Sequence, residues 1–413
     1  MNFFYNLLIS AFNALLPVIG SISPKLSLFA KGRKTVFEVL QKRIQSDDKV
    51  IWFHCASLGE YEQGVPVMEI LKKKYPDHTL LVTFFSPSGY EVKKNSALAD
   101  VIVYLPIDTK LNARKFIKLV HPKLAVFVKY EFWPNYLKEL NNKSIPITII
   151  SAVFREDQAF FKWYGGFMRN ALKKVDHFFV QDAISQKLLH QAGFDNVTIS
   201  GDTRFDRVAH QIEMDNQVDF ISEFIGDRLC VVMGSSWQED EEVFLDYVNQ
   251  ASDDLCFIIA PHEIKDNGVQ ELKRKLTKKT VLFSNKEGKS LNDYQVFIMN
   301  TIGYLSRVYS YGDIAYVGGA MGTSGLHNIL EPATFGIPII IGQHFEKFRE
   351  AKQLQKLAGL FSVSNSTEFS KIMNKLIENK RFRQQTGMIA GHFINSNTGA
   401  TDMIVKYLDE KID

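Results

Sequence analysis

The stretch Asp313-Ile-Ala-Tyr-Val-Gly-Gly-Ala-Met-Gly-Thr-Ser-Gly-Leu-His-Asn-Ile-Leu-Glu-Pro-Ala-Thr-Phe-Gly-Ile-Pro338 decides how the chain is read. Residues 314–317 form a short apolar run of the kind buried in a parallel sheet. Gly318, Gly319, Gly322 and Gly325 carry no Cβ and let backbone come close to something. Residues 328–335 read as a short helix with Gly336 as its stop, and Pro338 opens a further strand at 339–341. Strand, glycine loop and helix N-terminus in that order offer N–H groups and a positive dipole end to an anion. Glu331, in the first helical turn, could accept hydrogen bonds from a ribose diol. It could equally be a helix-start acid favoured by the dipole alone.

Outward from this unit, the same alternation fills the chain. Apolar runs at 229–233, 255–260, 280–283 and 295–299 precede it, and an earlier series lies at 50–54, 79–84, 101–105, 124–128, 147–151 and 177–181. Amphipathic segments separate them, which predicts doubly wound, parallel α/β sheets. With 413 residues the chain exceeds one hydrophobic core. The polar stretch 201–227 marks the junction, giving domains at 31–208 and 209–413 with the last helix able to pack back across. Two Rossmann-like domains facing a central cleft are expected to bind ligands at the carboxyl ends of their strands.

Residues 1–30 differ from the rest. Phe3, Phe4, Leu7, Leu8, Ile9, Phe12, Leu15, Leu16, Val18 and Ile19 are apolar, while Asn2, Asn6, Ser10 and Asn13 recur at helical spacing. Positive charge follows the run, in Lys25, Lys31, Arg33 and Lys34, which is the wrong order for a signal peptide and favours a cytoplasmic body. The reading is an N-terminal apolar helix that associates with a membrane surface, with packing on the protein's own core or a true span as the alternatives. Composition is ordinary, 46% apolar and 23% charged, with a net charge of +3 that permits a phosphorylated partner or an anionic membrane but does not call for nucleic acid. Cys55, Cys230 and Cys256 lie in apolar runs without CxxC spacing and read as reduced core thiols.

Polar residues gather just after the predicted strands. Glu60 lies at a helix start after Cys55-Ala-Ser-Leu-Gly, where a general base could meet a substrate hydroxyl or a carboxylate could merely answer the dipole. Lys129 and Glu131 follow the strand at 124–128, as a functional pair or a salt bridge. Arg204 could clamp a carboxylate or phosphate, or pair with Asp202 or Asp206. In the second half, Gly234-Ser-Ser-Trp237 resembles a phosphate-cradling turn, and the acids 239–242 behind it read as a solvated helix start. Pro261-His262 and Asn300-Thr-Ile-Gly-Tyr304 follow two further strands. No Walker motif, HExxH or clustered metal set is present, so no metal and no cofactor are expected.

Taken together the motifs resemble the 3-deoxy-D-manno-octulosonic acid (Kdo) transferases of lipopolysaccharide synthesis. The matching pieces are His54-x-x-Ser57-x-Gly59-Glu60, Thr83…Pro87-x-Gly89, Glu131-x-Trp-Pro-Asn135, Gly201-x-x-x-Phe205-Asp206, and Val317-Gly-Gly319 followed by His327-Asn-x-Leu-Glu331. The resemblance implies a GT-B glycosyltransferase that moves Kdo from CMP-Kdo to a lipid A precursor with inversion. It implies work at the cytoplasmic face of the inner membrane and no metal-bound donor. It makes Glu60 the base and Arg204 a stabiliser of transition-state charge. It assigns Pro261, His262, Ile302, Gly303, Tyr304, Asn328, Ile329, Leu330 and Glu331 to the CMP moiety. Lys129 departs from the pattern, since many members carry an acid there with a transition-state role, which leaves Lys129 and Glu131 as rivals for it. Another GT-B nucleotide-sugar transferase or a sugar-nucleotide epimerase is the alternative.

Overall fold

Every strand pairing in the molecule's two sheets is parallel. The structure, a computed structural model, describes residues 2–412. It divides into two units, Met1–Arg207 with Thr398–Asp413, and Val208–Asn397.

The first unit holds β1 (Lys49–Cys55), β2 (His78–Phe84), β3 (Val101–Tyr104), β4 (Leu124–Val128), β5 (Ile147–Ala152), β6 (His177–Val180) and β7 (Val197–Ile199). Their order is β3-β2-β1-β4-β5-β6-β7, so the winding reverses between β1 and β4. Successive residues of β1 serve opposite faces. Val50 and Trp52 enter one apolar cluster, and Ile51, Phe53 and Cys55 enter the other. Both faces are covered, which is why the run is apolar without alternation. The final helix, Ala400–Ile412, completes the second cluster with Ile404, Val405 and Leu408. Asp206 fixes its start, accepting hydrogen bonds from the Thr401 amide and hydroxyl at 2.8 Å each.

The second unit holds β8 (Leu229–Ser236), β9 (Leu255–Pro261), β10 (Thr280–Leu282), β11 (Val296–Ile298), β12 (Ile314–Val317), β13 (Ile339–Ile341) and β14 (Leu360–Ser362). The order β10-β11-β9-β8-β12-β13-β14 reverses between β8 and β12. Two strands lie outside the expected set, β7 and β14. Each is a three-residue edge strand buried at its first residue only, so neither shows the continuous apolar run that marks the other strands.

The N-terminal helix spans Asn2–Ile19 and turns Tyr5, Asn6, Ile9, Asn13 and Leu16 toward the body, with Ser10 exposed. The Tyr5 hydroxyl donates to Asp108 Oδ2 at 2.6 Å, Asn135 Nδ2 donates to Asn6 Oδ1 at 3.0 Å, and Leu16 packs with Ala30 and Ile107. Phe3, Phe4, Leu7, Leu8, Leu15 and Val18 are exposed. A helix packed on a water-soluble body shows the opposite orientation. Among the described residues no helix is long and apolar enough to cross a membrane. One cation of the basic run after it is internal. Arg33 is buried, donates to the carbonyls of Phe29, Phe85 and Leu105, and is pushed down to about 9 by burial.

Candidate functional site

The first group of site residues lies at the carboxyl ends of β1 and β4, where the winding reverses. Ser57 turns the chain into the helix Leu58–Lys74, which puts Glu60 in its first turn, 7% exposed. The Ser57 hydroxyl donates to Glu60 Oε2, and Lys129 Nζ stands 3.6 Å from Glu60 Oε1. Lys129 is the first residue past β4 and has a φ of +69°, left-handed backbone that a residue with a Cβ rarely adopts. The ion pair is thus Lys129 with Glu60, and not the Lys129–Glu131 bridge considered from the sequence.

Glu131 instead faces His54, its Oε2 3.6 Å from Nε2. The Trp133 indole N–H also meets Nε2, at 3.0 Å, and can only donate. Nε2 therefore accepts, and the ring proton belongs on Nδ1, 2.9 Å from Thr83 Oγ1. Thr83 also accepts from Trp52 Nε1 and is fully buried, so it orients the histidine and does not cap the next helix. Ser86 caps that helix, accepting from the Ser88 amide. Burial, with the Glu60 and Glu131 charges, pushes the Cys55 thiol up.

Arg204 binds locally. Its Nε and Nη2 reach Asp202 Oδ2 at 2.8 and 2.7 Å. Burial acts to raise the Asp202 carboxyl, but the Arg204 charge and hydrogen bonds, with one from Gln63, outweigh it and hold it low. The pair lies within one unit and is not an interdomain bridge. Gln63 belongs to the helix of Glu60 and also accepts at its carbonyl from Thr203 Oγ1 at 2.6 Å. Two bonds to one residue therefore fasten the segment of Arg204 to the helix of the candidate base.

The second group lies at the carboxyl ends of β8 and β12, and its organiser is a residue that sequence reading passed over. Asp240 was grouped with a solvated acidic helix start, yet it is fully buried. Its Oδ2 accepts from the amides of Trp237 and Gly319 at 3.0 and 2.8 Å, and its Oδ1 from the Tyr316 hydroxyl at 2.8 Å. Burial nonetheless leaves its carboxyl raised. The available signal was its place three residues after Trp237, where a capping carboxylate returns to the backbone. At Ser235 and Ser236 β8 carries a bulge, with Ser235 at φ +55°, and Ser236 donates to Glu241 Oε1 at 3.2 Å.

Trp237, His262 and His327 form a stack at this edge. Ring centroids lie 4.6 Å apart for Trp237 and His262, and 4.4 Å for His262 and His327. Trp237 Nε1 donates to His327 Nε2 at 2.9 Å, and burial, with the His262 charge, pushes His327 down to about 4. His262 keeps an exposed ring while Pro261 ends β9 beside it.

The opening stretch is corrected in two respects. Its helix is shorter, Leu330–Thr334, because Asn328 serves as a turn, accepting from the Leu330 amide at 3.2 Å and donating to Glu331 Oε1 at 3.0 Å. Gly318 and Gly319 approach the protein's own backbone, while Gly322 lies against the Glu239 side chain. A Cβ on Gly318 would strike the Ser235 carbonyl, and one on Gly319, at φ +94°, the Gly325 carbonyl. Ile329 and Leu330 are buried, so only their backbone remains for a ligand. Past β11, Ile302 is 80% exposed and Gly303 adopts φ +88°. The Tyr304 ring packs against Phe220 and Phe283. Among the described residues no group of three or more His, Cys, Asp or Glu side chains converges as a metal set.

Residues 31–207 match the family model of the 3-deoxy-D-manno-octulosonic-acid transferase, or Kdotransferase, domain. A bifunctional glycosyltransferase/methyltransferase of Fusobacterium nucleatum is 28% identical over 81% of this chain and 53% of its own. The chain thus spans about half of that relative. A 3-deoxy-D-manno-octulosonic acid transferase of Haemophilus influenzae is 27% identical over 88% of each chain. Among solved structures, UDP-GlcNAc 2-epimerase from Neisseria meningitidis aligns with a TM-score of 0.63 over 88% of this chain and 100% of that one. At 16% identity that likeness concerns the fold, which is of the GT-B class. The domain match covers the carboxyl ends of β1 and β4, the Haemophilus alignment runs on through the second unit, and over most of its length the chain is similar to the Kdo transferases.

Proposed function

We propose that the chain is an inverting glycosyltransferase that moves Kdo from CMP-Kdo to a lipid A precursor at the cytoplasmic face of a bacterial inner membrane. The observation that carries the chemistry is a nearly buried carboxylate, Glu60, at the carboxyl end of β1 with the Lys129 ammonium 3.6 Å away across the switch point. In this reading the acceptor hydroxyl gives its proton to Glu60 as its oxygen attacks the anomeric carbon of Kdo. The bond from that carbon to the phosphate oxygen breaks on the opposite face, and CMP leaves with the electron pair. Lys129 and Arg204 answer the charge of the Kdo carboxylate and the departing phosphate. Trp133, donating to His54 Nε2, holds the strand ends in place, and Glu131 stays the rival of Lys129 for the transition-state role.

In the second unit, the His262 ring offers a stacking face for a base. Asn328 and Glu331 offer a polar pair for the ribose, with Pro261, Ile302, Gly303 and Tyr304 around them. No nucleic-acid partner is implied. The exposed apolar face of the N-terminal helix favours a lipid-borne acceptor over the soluble sugar nucleotide that an epimerase would handle.

The test is a transfer assay with CMP-Kdo generated in situ and a tetraacylated lipid A precursor, read by mass spectrometry. A product heavier by one or more Kdo residues is expected. Absence of product with CMP still released would put the acceptor in error, and absence of any CMP interaction would overturn the assignment.

A further inference from the structure

Trp163 is 91% exposed and Tyr164 beside it 50%. An indole standing almost wholly in water is costly unless something covers it, and this one is held there by construction. Arg169 Nη1 donates to the carbonyls of Phe160 and Lys162, at 2.7 and 2.8 Å, and the Gly165 amide donates to Lys162 O at 2.9 Å. Gly165 packs so closely on Ala159 that a Cβ would strike its carbonyl oxygen. The loop tip is therefore fixed, and the two rings meet edge to face at 5.6 Å.

The loop is continuous with two features already described. Behind it, Phe160 and Phe161 pack with Phe154, and Phe132, between Glu131 and Trp133, packs on Phe154 and Phe160. After it, Phe167 meets the ring of Tyr5 at 5.3 Å, on the helix Asn2–Ile19 whose other side exposes Phe3, Phe4, Leu7 and Leu8. Charge agrees with an anionic surface, since Arg155, Lys162, Arg169, Lys173 and Lys174 outnumber Glu156 and Asp157 along this segment.

We infer that the loop 162–165 is a second membrane contact, with Trp163 and Tyr164 seated at the headgroup level of an anionic bilayer beside the apolar face of the N-terminal helix. Amphipathic rings favour that level, and the flanking cations favour the lipid phosphates. A helix alone leaves rotation about its axis free; a second contact some distance away sets which edge of the first sheet faces the lipid. The inference rests on the lipid-facing reading of the helix.

The test uses the full chain with vesicles of phosphatidylethanolamine and phosphatidylglycerol, with or without brominated acyl chains that quench tryptophan on contact. Trp163 is one of four tryptophans, so its signal is the difference between the natural chain and Trp163→Phe. The expected result is vesicle binding, a blue shift and bromine quenching that Trp163→Phe abolishes, and binding weakened roughly tenfold in Trp163→Ala. Binding with Trp163 unquenched would overturn the loop contact while leaving the helix reading intact. A blue-shifted Trp163 without vesicles, growing with protein concentration, would assign the loop to a second copy of the chain. Failure to bind at all would overturn both.

Discussion

Glu60 and Lys129 face each other because two strand ends do, and the cost of that arrangement is visible in the backbone of Lys129. Removing the candidate base's charge without altering its shape isolates its chemistry. Glu60→Gln is expected to lower turnover by about 10²- to 10⁴-fold with the melting temperature little changed; near-normal turnover would remove Glu60 as base. Lys129→Gly separates function from stability. Glycine relieves a left-handed conformation that costs a residue with a Cβ roughly 1–2 kcal/mol, against a loss of chain entropy of about half that. Stability should hold or rise slightly in urea titrations while transfer falls, and unchanged transfer would make the ion pair incidental. His327 supplies a pH test. Its folded value, about 4, lies below the unfolded one near 6.5, so the unfolded chain binds more protons between them. Stability of the second unit should therefore be lost as pH falls through that window, and His327→Gln should flatten the slope.

Among the elements, strands were the most legible and turns the least. Runs such as 50–54 and 314–317 are apolar because both faces of a parallel strand are covered, and no tertiary fact is needed to see it. β7 and β14 were invisible because each is a sheet edge buried at its first residue only, which leaves no continuous apolar run. The helix after β12 was read two residues early, since Asn328 looks like a first-turn residue and acts as the turn before it. The candidate base and its neighbours were found from their place after strands, but their pairing was not, because Lys129 reaches Glu60 across a switch point that only the sheet order creates. Asp240 marks the limit most sharply. One acid in a run of four is buried, and burial belongs to the donors around it. Asp240→Ala leaves the Trp237 and Gly319 amides and the Tyr316 hydroxyl without their acceptor, which should destabilise the second unit by roughly 3 kcal/mol in denaturant titrations. A change below about 1 kcal/mol would mean that the β8 and β12 ends hold their positions without it.

At the scale of the whole molecule the question is what surface the chain presents to a lipid. The N-terminal helix docks through Tyr5 on Asp108, Asn6 on Asn135, and Ile9 and Leu16 on the body, and leaves Phe3, Phe4, Leu7, Leu8, Leu15 and Val18 outside. Deleting it would strip Asp108 of a hydrogen bond and uncover Ala30 and Ile107, so a truncated chain confuses loss of stability with loss of membrane contact. Replacing only the outward residues avoids this. Phe3→Ser, Phe4→Ser, Leu7→Ser and Leu8→Ser together keep Tyr5, Asn6, Ile9 and Leu16, and with them the docking of the helix. Each of the four large side chains is worth about 1.5–3 kcal/mol when fully buried, so losing them removes most of the apolar contribution to lipid binding. The quadruple variant should stay in the supernatant when vesicles are sedimented, keep its melting temperature, and still bind CMP in the second unit. If it sediments as the natural chain does, the outward face is not the membrane contact.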